Sequence, residues 1–176
     1  MTRSRPAREP APLYTPEERA RRDASRWTLV QGILAPLQFL VFAVSLALVL
    51  RFLADGRGEG VAAASVLVKT SLLYAIMVTG ALWERDVYGR YLFARAFWWE
   101  DAVGLVVVAL HTLYVALWLL DAGGAPLRMG VALAAYAVYV VNAAQFVLKL
   151  RRARRGRAPG GGTAGRAAPA LAEPLA

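Results

Sequence analysis

The side chains best suited to chemistry lie in the stretch from Trp83 to His111. Glu100 and Asp101 stand together at the start of an apolar segment, and His111, the only histidine of the chain, follows inside that segment. Carboxyl and imidazole groups are the usual proton donors and acceptors of general acid–base catalysis. Ionisable groups at membrane depth are costly, so these three side chains are candidates for a functional site. A buried histidine with purely structural hydrogen bonds is the alternative interpretation of His111.

The spacing between Glu100 and His111 places both on one helix face. Eleven residues separate them, which at about 3.6 residues per turn returns to nearly the same face about 16 Å further along the axis. Gly104 and Val107 lie on this face, and Tyr114 lies near it. Glu100 and His111 cannot touch each other, but a planar amphiphile of that length could contact both. Gly104 leaves room on this face for a flat group to approach.

Composition identifies the class of protein and excludes several kinds of site. The chain has 176 residues, of which 58% are hydrophobic, and this is too apolar for an ordinary soluble domain. The absence of cysteine excludes disulfides, thiolate metal sites, iron–sulfur clusters and cysteine nucleophiles. A single histidine excludes a metal site built from several histidines. The net charge of +9 is concentrated near both ends, and beside apolar spans this favours contact with anionic lipid over nucleic acid.

Four apolar segments are long enough to cross a bilayer, which takes about 20 residues. They cover roughly residues 27–53, 62–83, 102–120 and 127–149. Every backbone amide in lipid must find its partner within its own segment, so spans of this kind are helices. The sequence therefore predicts an all-α integral membrane protein, a four-helix bundle.

Three regions follow from these spans. Residues 1–26 are a basic segment with a short helix, whose start is marked by Thr15 as cap and by Glu18 completing a capping box. Residues 27–150 are the transmembrane domain. Residues 151–176 are rich in Arg, Gly, Ala and Pro, which predicts a disordered tail.

The distribution of basic residues predicts the orientation of the bundle. Seven Lys and Arg lie in residues 1–26 and seven in residues 149–166, whereas the first and third loops hold three between them. An even number of spans places both termini on one side of the membrane. The positive-inside rule makes that side the cytoplasm.

Polar residues recur inside the spans, and each has two interpretations. Gln31, Gln38 and Ser45 share one face of the first span at heptad spacing; they form interhelical hydrogen bonds or the polar wall of a ligand cleft. Asn142 and Gln145 lie one turn apart on the fourth span, where structural hydrogen bonding is the simpler account.

Two charged residues of the second span also leave alternatives open. Lys69 either extends outward along its aliphatic stem or faces the bundle interior and pairs with an anion. Glu84 lies near the predicted cytoplasmic surface, between other charged residues, and is most simply a solvated loop group.

A longer pattern in these residues resembles the 3-vinyl bacteriochlorophyllide hydratase family of bacteriochlorophyll biosynthesis. The matching stretches cover roughly residues 13–151. They include LYTPEERARRDASRW, WTLVQGILAPLQFLVF, VKTSLLYAIMVTGALWERDVYGRYLFARAFWWED, ALHTLY and YAVYVVNAAQFVLKLR. One departure is conservative, because Phe97-Trp98-Trp99 stands where the family pattern has a second Phe before the Trp.

The resemblance implies an integral membrane enzyme, a hydro-lyase of the bacterial inner membrane. It implies that water adds to the C3 vinyl of a chlorophyllide-type Mg-tetrapyrrole to give a 1-hydroxyethyl group, without a redox cofactor. We expect no cofactor and no metal site of the protein's own. Membrane lipid is an expected partner, with a second copy of the chain or other enzymes of the pigment pathway as further ones, and nucleic acid is not.

The resemblance assigns no catalytic residues, so their roles are our hypotheses. Hydration needs one group that donates a proton to the vinyl and one that takes a proton from water. Glu100 and Asp101 are the favoured proton-transfer groups, and Glu84 is a further candidate acid. His111 is a base, an acid, or the axial ligand of the substrate's Mg.

Substrate contacts are predicted at the same end of the bundle. Three loop arginines are candidates to hold the free propionate of the pigment, and the aromatic run at the start of the third span is a candidate to stack on the macrocycle or to form an interfacial belt. Gln38 and Asn142 are candidate polar contacts inside the bundle. The residues at the loop are Arg85, Arg90, Arg95, Phe97, Trp98 and Trp99.

Two rival functions use the same residues. A pigment-binding or assembly protein would use His111 to hold a bacteriochlorophyll without converting it. A small transporter would use Lys69, Glu84 and the intramembrane amides to line a path, although no repeat relates the two halves of the chain, as carriers often show.

Overall fold

The computed structural model describes residues 13–155, and within this range the chain forms five α-helices. They are α1 (Pro16–Ala24), α2 (Arg26–Asp55), α3 (Glu59–Tyr88), α4 (Trp98–Leu119) and α5 (Gly124–Arg155). The helices α2 to α5 are long and apolar enough to cross a membrane. The all-α class and the four predicted spans are therefore confirmed.

The short helix α1 begins as its sequence predicts. The Thr15 side chain accepts a hydrogen bond from the Glu18 amide at 3.2 Å, and the Glu18 carboxylate accepts one from the Thr15 amide at 2.8 Å. These bonds satisfy two amides at the helix start that have no intrahelical partner. The helix ends at Ser25, which also caps α2.

The last helix continues beyond the predicted span. α5 extends to Arg155, so the first residues of the region predicted as a tail are helical. The rest of that tail and the first twelve residues of the chain lie outside the described residues.

The bundle consists of two antiparallel helix pairs. α2 packs along α3, and α4 packs along α5. The outer faces carry large apolar side chains such as Leu29 and Val78, which are more than half exposed. Such surfaces are expected where lipid covers the helices.

Hydrogen bonds across the bundle explain two of the three residues in the heptad row. Gln31 donates to the Thr79 hydroxyl at 2.7 Å, and the Ser45 hydroxyl bonds those of Ser65 and Tyr136 at 2.7 and 2.6 Å. Interhelical hydrogen bonding is thus confirmed for Gln31 and Ser45. Gln38 is buried as well, but neither atom of its amide has a hydrogen-bond partner within residues 13–155.

Residues 89–97 connect α3 to α4 and fold back over the end of the bundle. Gly89 ends α3 in the left-handed conformation, with φ of 77°. Phe93 also adopts positive φ, 60°, which costs a residue with a side chain about 1–2 kcal/mol. We call residues 89–97 the cover loop and this end of the bundle the loop end.

Candidate functional site

Three carboxyl groups are buried beneath the cover loop. Glu84 near the end of α3 and Glu100 and Asp101 in the first turn of α4 are between 5% and 7% exposed. Carboxylates at this degree of burial are rare unless they are paired or hydrogen-bonded. The contacts of these three carboxyls are therefore described first.

Two of the carboxyls hold the cover loop in place. Asp101 Oδ2 accepts a hydrogen bond from the Phe93 amide at 2.7 Å, and Glu84 Oε2 accepts one from the Ala94 amide at 3.1 Å. Each bond pairs an amide of the loop with a carboxyl oxygen, and together the two bonds offset the strain of the positive φ at Phe93. The structure thus places Glu84 in the interior, and the interpretation of Glu84 as a solvated loop group is wrong.

Glu84 and Asp101 also contact each other within hydrogen-bonding reach. Two carboxyl groups this close repel each other when both are ionised, and one proton shared between them would relieve that repulsion. A carboxyl pair with one shared proton contains both an acid and a base. We call Glu84 and Asp101 the carboxyl pair.

Glu100 has a different partner. Its Oε1 lies 2.6 Å from Lys149 Nζ, and this lysine also donates to the Ala96 carbonyl of the cover loop. The Lys149 ammonium lies 4.7 Å from the centre of the Phe97 ring. The ion pair joins α4 to α5 at the loop end, and it was not predicted, because the two residues are far apart in the sequence.

An apolar groove lies between α3 and α4 and is bordered at one end by the cover loop. It has a volume of about 340 Å³ and is lined by Tyr74, Met77, Val78, Ala81, Leu92, Leu105 and Val108. Glu84 follows Ala81 by one helical turn, and Asp101 precedes Leu105 by one turn. Leu92 is the chain neighbour of Phe93, whose amide binds Asp101. The carboxyl pair therefore lies about one turn beyond the loop end of the groove.

His111 lies in the bundle interior and is fully buried. Its Nδ1 lies 2.8 Å from the Val107 carbonyl, whereas Nε2 has no partner within the described residues. Because a carbonyl only accepts, Nδ1 carries the proton of the neutral ring and Nε2 presents a lone pair. Glu100 and His111 share a buried face of α4 as predicted.

The expected open surface at Gly104 is absent. A side-chain carbon at this position would lie 3.6 Å from Asn142 Nδ2 and 3.7 Å from Met77. The face that joins Glu100 to His111 is therefore packed against α3 and α5, and the expectation that a flat group approaches Gly104 is wrong. Any macrocycle that reached His111 would have to separate these helices.

Lys69 faces the bundle interior, so the interpretation in which its side chain extends outward to the surface is wrong. The side chain is fully buried, and its ammonium lies 3.9 Å from the centre of the Tyr139 ring. The contact is a cation–π interaction. Among residues 13–155 its nitrogen has no hydrogen-bond partner. Nor does Lys69 form an ion pair within these residues, so they do not supply the anion expected for an inward-facing lysine.

Two of the three predicted arginines share a cavity at the loop end. Arg90 and Arg95 line a space of about 590 Å³ between α1 and the cover loop, together with Leu13, Glu18, Tyr88, Ala94 and Ala96. Arg85 instead donates to the Tyr91 hydroxyl. All three arginines are exposed, so their charges are available to an anion at the surface.

The aromatic run at the start of α4 is divided between surface and core. Trp98 and Trp99 are 47% and 69% exposed and contact each other edge to face. Phe97 is buried against Trp83 and Phe146. The prediction that Phe97 stacks on a macrocycle is therefore wrong. Only the two tryptophans are placed where a ligand or lipid can reach them.

Comparison with known proteins identifies the family. The model of the 2-vinyl bacteriochlorophyllide hydratase family matches residues 14–152. The chain belongs to this family. A 2-vinyl bacteriochlorophyllide hydratase of Cereibacter sphaeroides is 63% identical over 155 residues, 88% of this chain and 96% of that protein. Another, of Rhodobacter capsulatus, is 63% identical over 143 residues, 81% of this chain and 82% of that protein. No solved structure matches the chain.

The family match covers the whole site. Residues 14–152 include α1, the cover loop, the carboxyl pair and the apolar groove. The family's description counts the vinyl-bearing ring carbon as position 2, and the resemblance noted above counts the same carbon as position 3, after the other convention for tetrapyrroles. The resemblance drawn from the sequence is confirmed.

Proposed function

We propose that this protein hydrates the vinyl group of a bacteriochlorophyllide and thereby forms a 1-hydroxyethyl group in bacteriochlorophyll biosynthesis. It is a hydro-lyase of the membrane, like the relatives whose names describe this activity. One observation carries the proposal within the structure. The buried carboxyls Glu84 and Asp101 lie about one helical turn beyond an apolar groove, and we infer that they share one proton for transfer to an apolar substrate.

The reaction proceeds in two steps that balance without a redox partner. The carboxyl pair donates its proton to the terminal CH2 of the vinyl, and the positive charge that forms at the inner carbon is delocalised into the conjugated ring. Water then attacks the inner carbon, and its surplus proton returns to the carboxyl pair. One water is consumed, no electron is lost, and the acid is restored for the next turnover.

Asp101 keeps its predicted role in proton transfer, and Glu84 becomes its partner. The two carboxyls contact each other, and each is fixed by one amide of the cover loop. Glu100 is engaged by Lys149 and positions the start of α4. His111 lies ten residues beyond Asp101, about 15 Å along the helix, and so takes no direct part in this transfer.

The groove receives the vinyl-bearing edge of the macrocycle. A volume of about 340 Å³ is at the small end of ligand pockets, so one edge of the pigment enters and the remainder faces lipid. Trp98 and Trp99 lie at the surface beside this end and flank the ring. Arg90 and Arg95 hold the free propionate at the cavity beside α1, with Arg85 as a weaker contributor.

We further propose the orientation that the loop charges indicate. Both termini and the cover loop lie on the cytoplasmic side of the bacterial inner membrane, where the charge of the basic ends meets anionic lipid. The propionate-binding arginines then face the cytoplasm. A second copy of the chain or another enzyme of the pathway is a candidate partner at this surface.

A pigment conversion assay tests the proposal. Membranes containing this protein are incubated with a 3-vinyl bacteriochlorophyllide, without nucleotide, beside membranes from the same host without the protein. We expect a gain of one water in mass and a blue shift of absorption from lost conjugation. Unchanged pigment that purifies with the protein would instead establish a pigment-binding protein and overturn the proposal.

A further inference from the structure

A row of buried polar atoms without partners runs through the interior of the bundle. Each atom is almost fully shielded, and none has a hydrogen-bond partner within residues 13–155. Buried polar atoms are nearly always paired with protein or with ordered water. The row comprises Gln38, Lys69, His111, Asn142, Gln145 and Glu100.

All four long helices contribute to this row at neighbouring levels. α2 and α5 are antiparallel, with Ser45 bonded to Tyr136 and with Phe42 packed on Tyr139. One further turn along each helix, four residues on α2 and three on α5, brings Gln38 and Asn142 to nearly the same level. Lys69 lies over Tyr139 on one side of this level.

The row continues toward the loop end. Gln145 follows Asn142 by one turn on α5, and Lys149 follows one turn later, paired with Glu100. The row therefore extends from the middle of the bundle to the ion pair beside the carboxyl pair.

The chemistry of the row suits water better than an ion. Lys69 offers only donors, the neutral His111 offers a lone pair at Nε2, and the amides offer both. Water molecules both donate and accept, so several of them can satisfy all of these groups, whereas an anion satisfies only the donors and a cation only the acceptors. Buried waters typically bridge such groups with two to four hydrogen bonds.

The row also borders the groove. Gly104 separates the two, with Asn142 on the interior side and Met77, which lines the groove, on the other. Because Gly104 has no side chain, the Met77 thioether, which lines the groove, and the Asn142 amide approach the same point of α4. The interior row thus meets the groove at the level where the substrate edge is placed.

We propose that these six side chains line a narrow water path inside the bundle, which supplies the water consumed in hydration. The path starts at the loop end beside Glu100 and passes Gln145 to the level of Asn142 and Gln38. Its deep end is closed by Lys69 and His111. The supply role rests on the proposed function, whereas the presence of water in the row does not.

Cysteine accessibility tests the path independently of turnover, because the natural chain has no cysteine. Single variants Gln38→Cys, Asn142→Cys and Gln145→Cys are treated with silver ions, which react with thiols where water reaches them. Matched controls at the same depth are Leu37→Cys and Val141→Cys, whose side chains are exposed on the outer, lipid-facing surface. We expect the three interior positions to react at least about tenfold faster than the controls.

Each outcome of the labelling experiment is decisive. Interior cysteines that react no faster than the lipid-facing controls would overturn the path. A variant that failed to fold would have lost the thermal transition of the parent protein, and the other two positions would then carry the test. Labelling requires no pigment, so its result stands even where hydration is not observed.

The supply role has its own test. Asn142→Leu replaces the amide by an apolar side chain of similar size, and we expect kcat to fall at least about tenfold with the KM for pigment nearly unchanged. Asn142→Ser, which restores a hydroxyl, should recover part of the loss. An unchanged kcat in the leucine variant would overturn the supply of water through this row.

Discussion

Replacing Asp101 by asparagine removes the acid while keeping its hydrogen bond. The amide oxygen of the new side chain can still accept from the Phe93 amide, which lies 2.7 Å from Asp101 Oδ2, and the new amide nitrogen can donate to Glu84. The stability lost is limited to the difference between a charged and a neutral acceptor, about 1 kcal/mol. The new amide donor favours the ionised form of Glu84, so the variant has no protonated carboxyl beside the groove to donate to the vinyl.

The expected loss of activity follows from the role of general acid. Such a group contributes about 100- to 10,000-fold to rate, which corresponds to about 2.7–5.5 kcal/mol in the activation barrier. Glu84→Gln should have an effect of the same size, because it removes the other half of the same pair. The double variant should be no more than about threefold slower than the slower single variant, since residues that act as one unit are not additive.

The assay measures initial rates of vinyl hydration in membranes at matched protein levels. Asp86→Asn is the matched control, because Asp86 lies two residues from Glu84, is exposed and, within the described residues, accepts its side-chain hydrogen bond from Ser25. We expect the control to retain its rate within about twofold. Full activity in both Asp101→Asn and Glu84→Gln, or losses that multiply in the double variant, would refute the shared proton.

Three further predictions follow from the same contacts. Arg90→Gln with Arg95→Gln should raise the KM for free-acid pigment about tenfold and leave that for its methyl ester unchanged; equal KM changes for both pigments would exclude propionate binding. Gly104→Ala should be tolerated, because the added carbon meets its neighbours at ordinary contact distance, whereas Gly104→Val should lower the rate; equal rates in the two would contradict the tight boundary between groove and interior. Lys149→Met should destabilise the protein by about 3 kcal/mol, because it leaves Glu100 buried without its partner, and Glu100→Gln in the same chain should restore part of the thermal midpoint; a midpoint unaffected by Lys149→Met would show that the ion pair is not stabilising.

The helices were predictable because their causes are local. Runs of apolar residues identify the four spans, and the capping box at Thr15 identifies α1. The helix period alone places Glu100 and His111 on one face. The observed spans begin up to four residues earlier than predicted, as at Trp98, because helix ends include polar and aromatic residues that hydropathy excludes.

The carboxyl pair was only partly predictable because it depends on the cover loop. Asp101 was singled out from its place at the mouth of an apolar helix. The burial of Glu84 requires Phe93 to adopt a left-handed conformation and Ala94 to turn its amide inward. No local pattern around Glu84 signals this, since its neighbours Arg85 and Asp86 are both exposed.

The interior polar groups show a second limit of sequence patterns. A lysine near the end of a span can extend to the surface or turn inward, and the choice depends on which partner helix supplies an aromatic ring. Here the ring belongs to Tyr139, which lies seventy residues beyond Lys69 in the sequence and contacts its ammonium. The ion pair between Glu100 and Lys149 likewise joins residues that are distant in the sequence, and only the packing of α4 against α5 brings them together.

Hydration in doubly labelled water tests the central claim most directly. Membranes with this protein would convert a 3-vinyl bacteriochlorophyllide in water enriched in both heavy oxygen and deuterium, and the product would be analysed by mass spectrometry and NMR. The account predicts one heavy oxygen on the inner carbon and one deuterium in the new methyl group, in the wild type and not in Asp101→Asn. Label at other positions, or the same labelled product at an undiminished rate from Asp101→Asn, would contradict it.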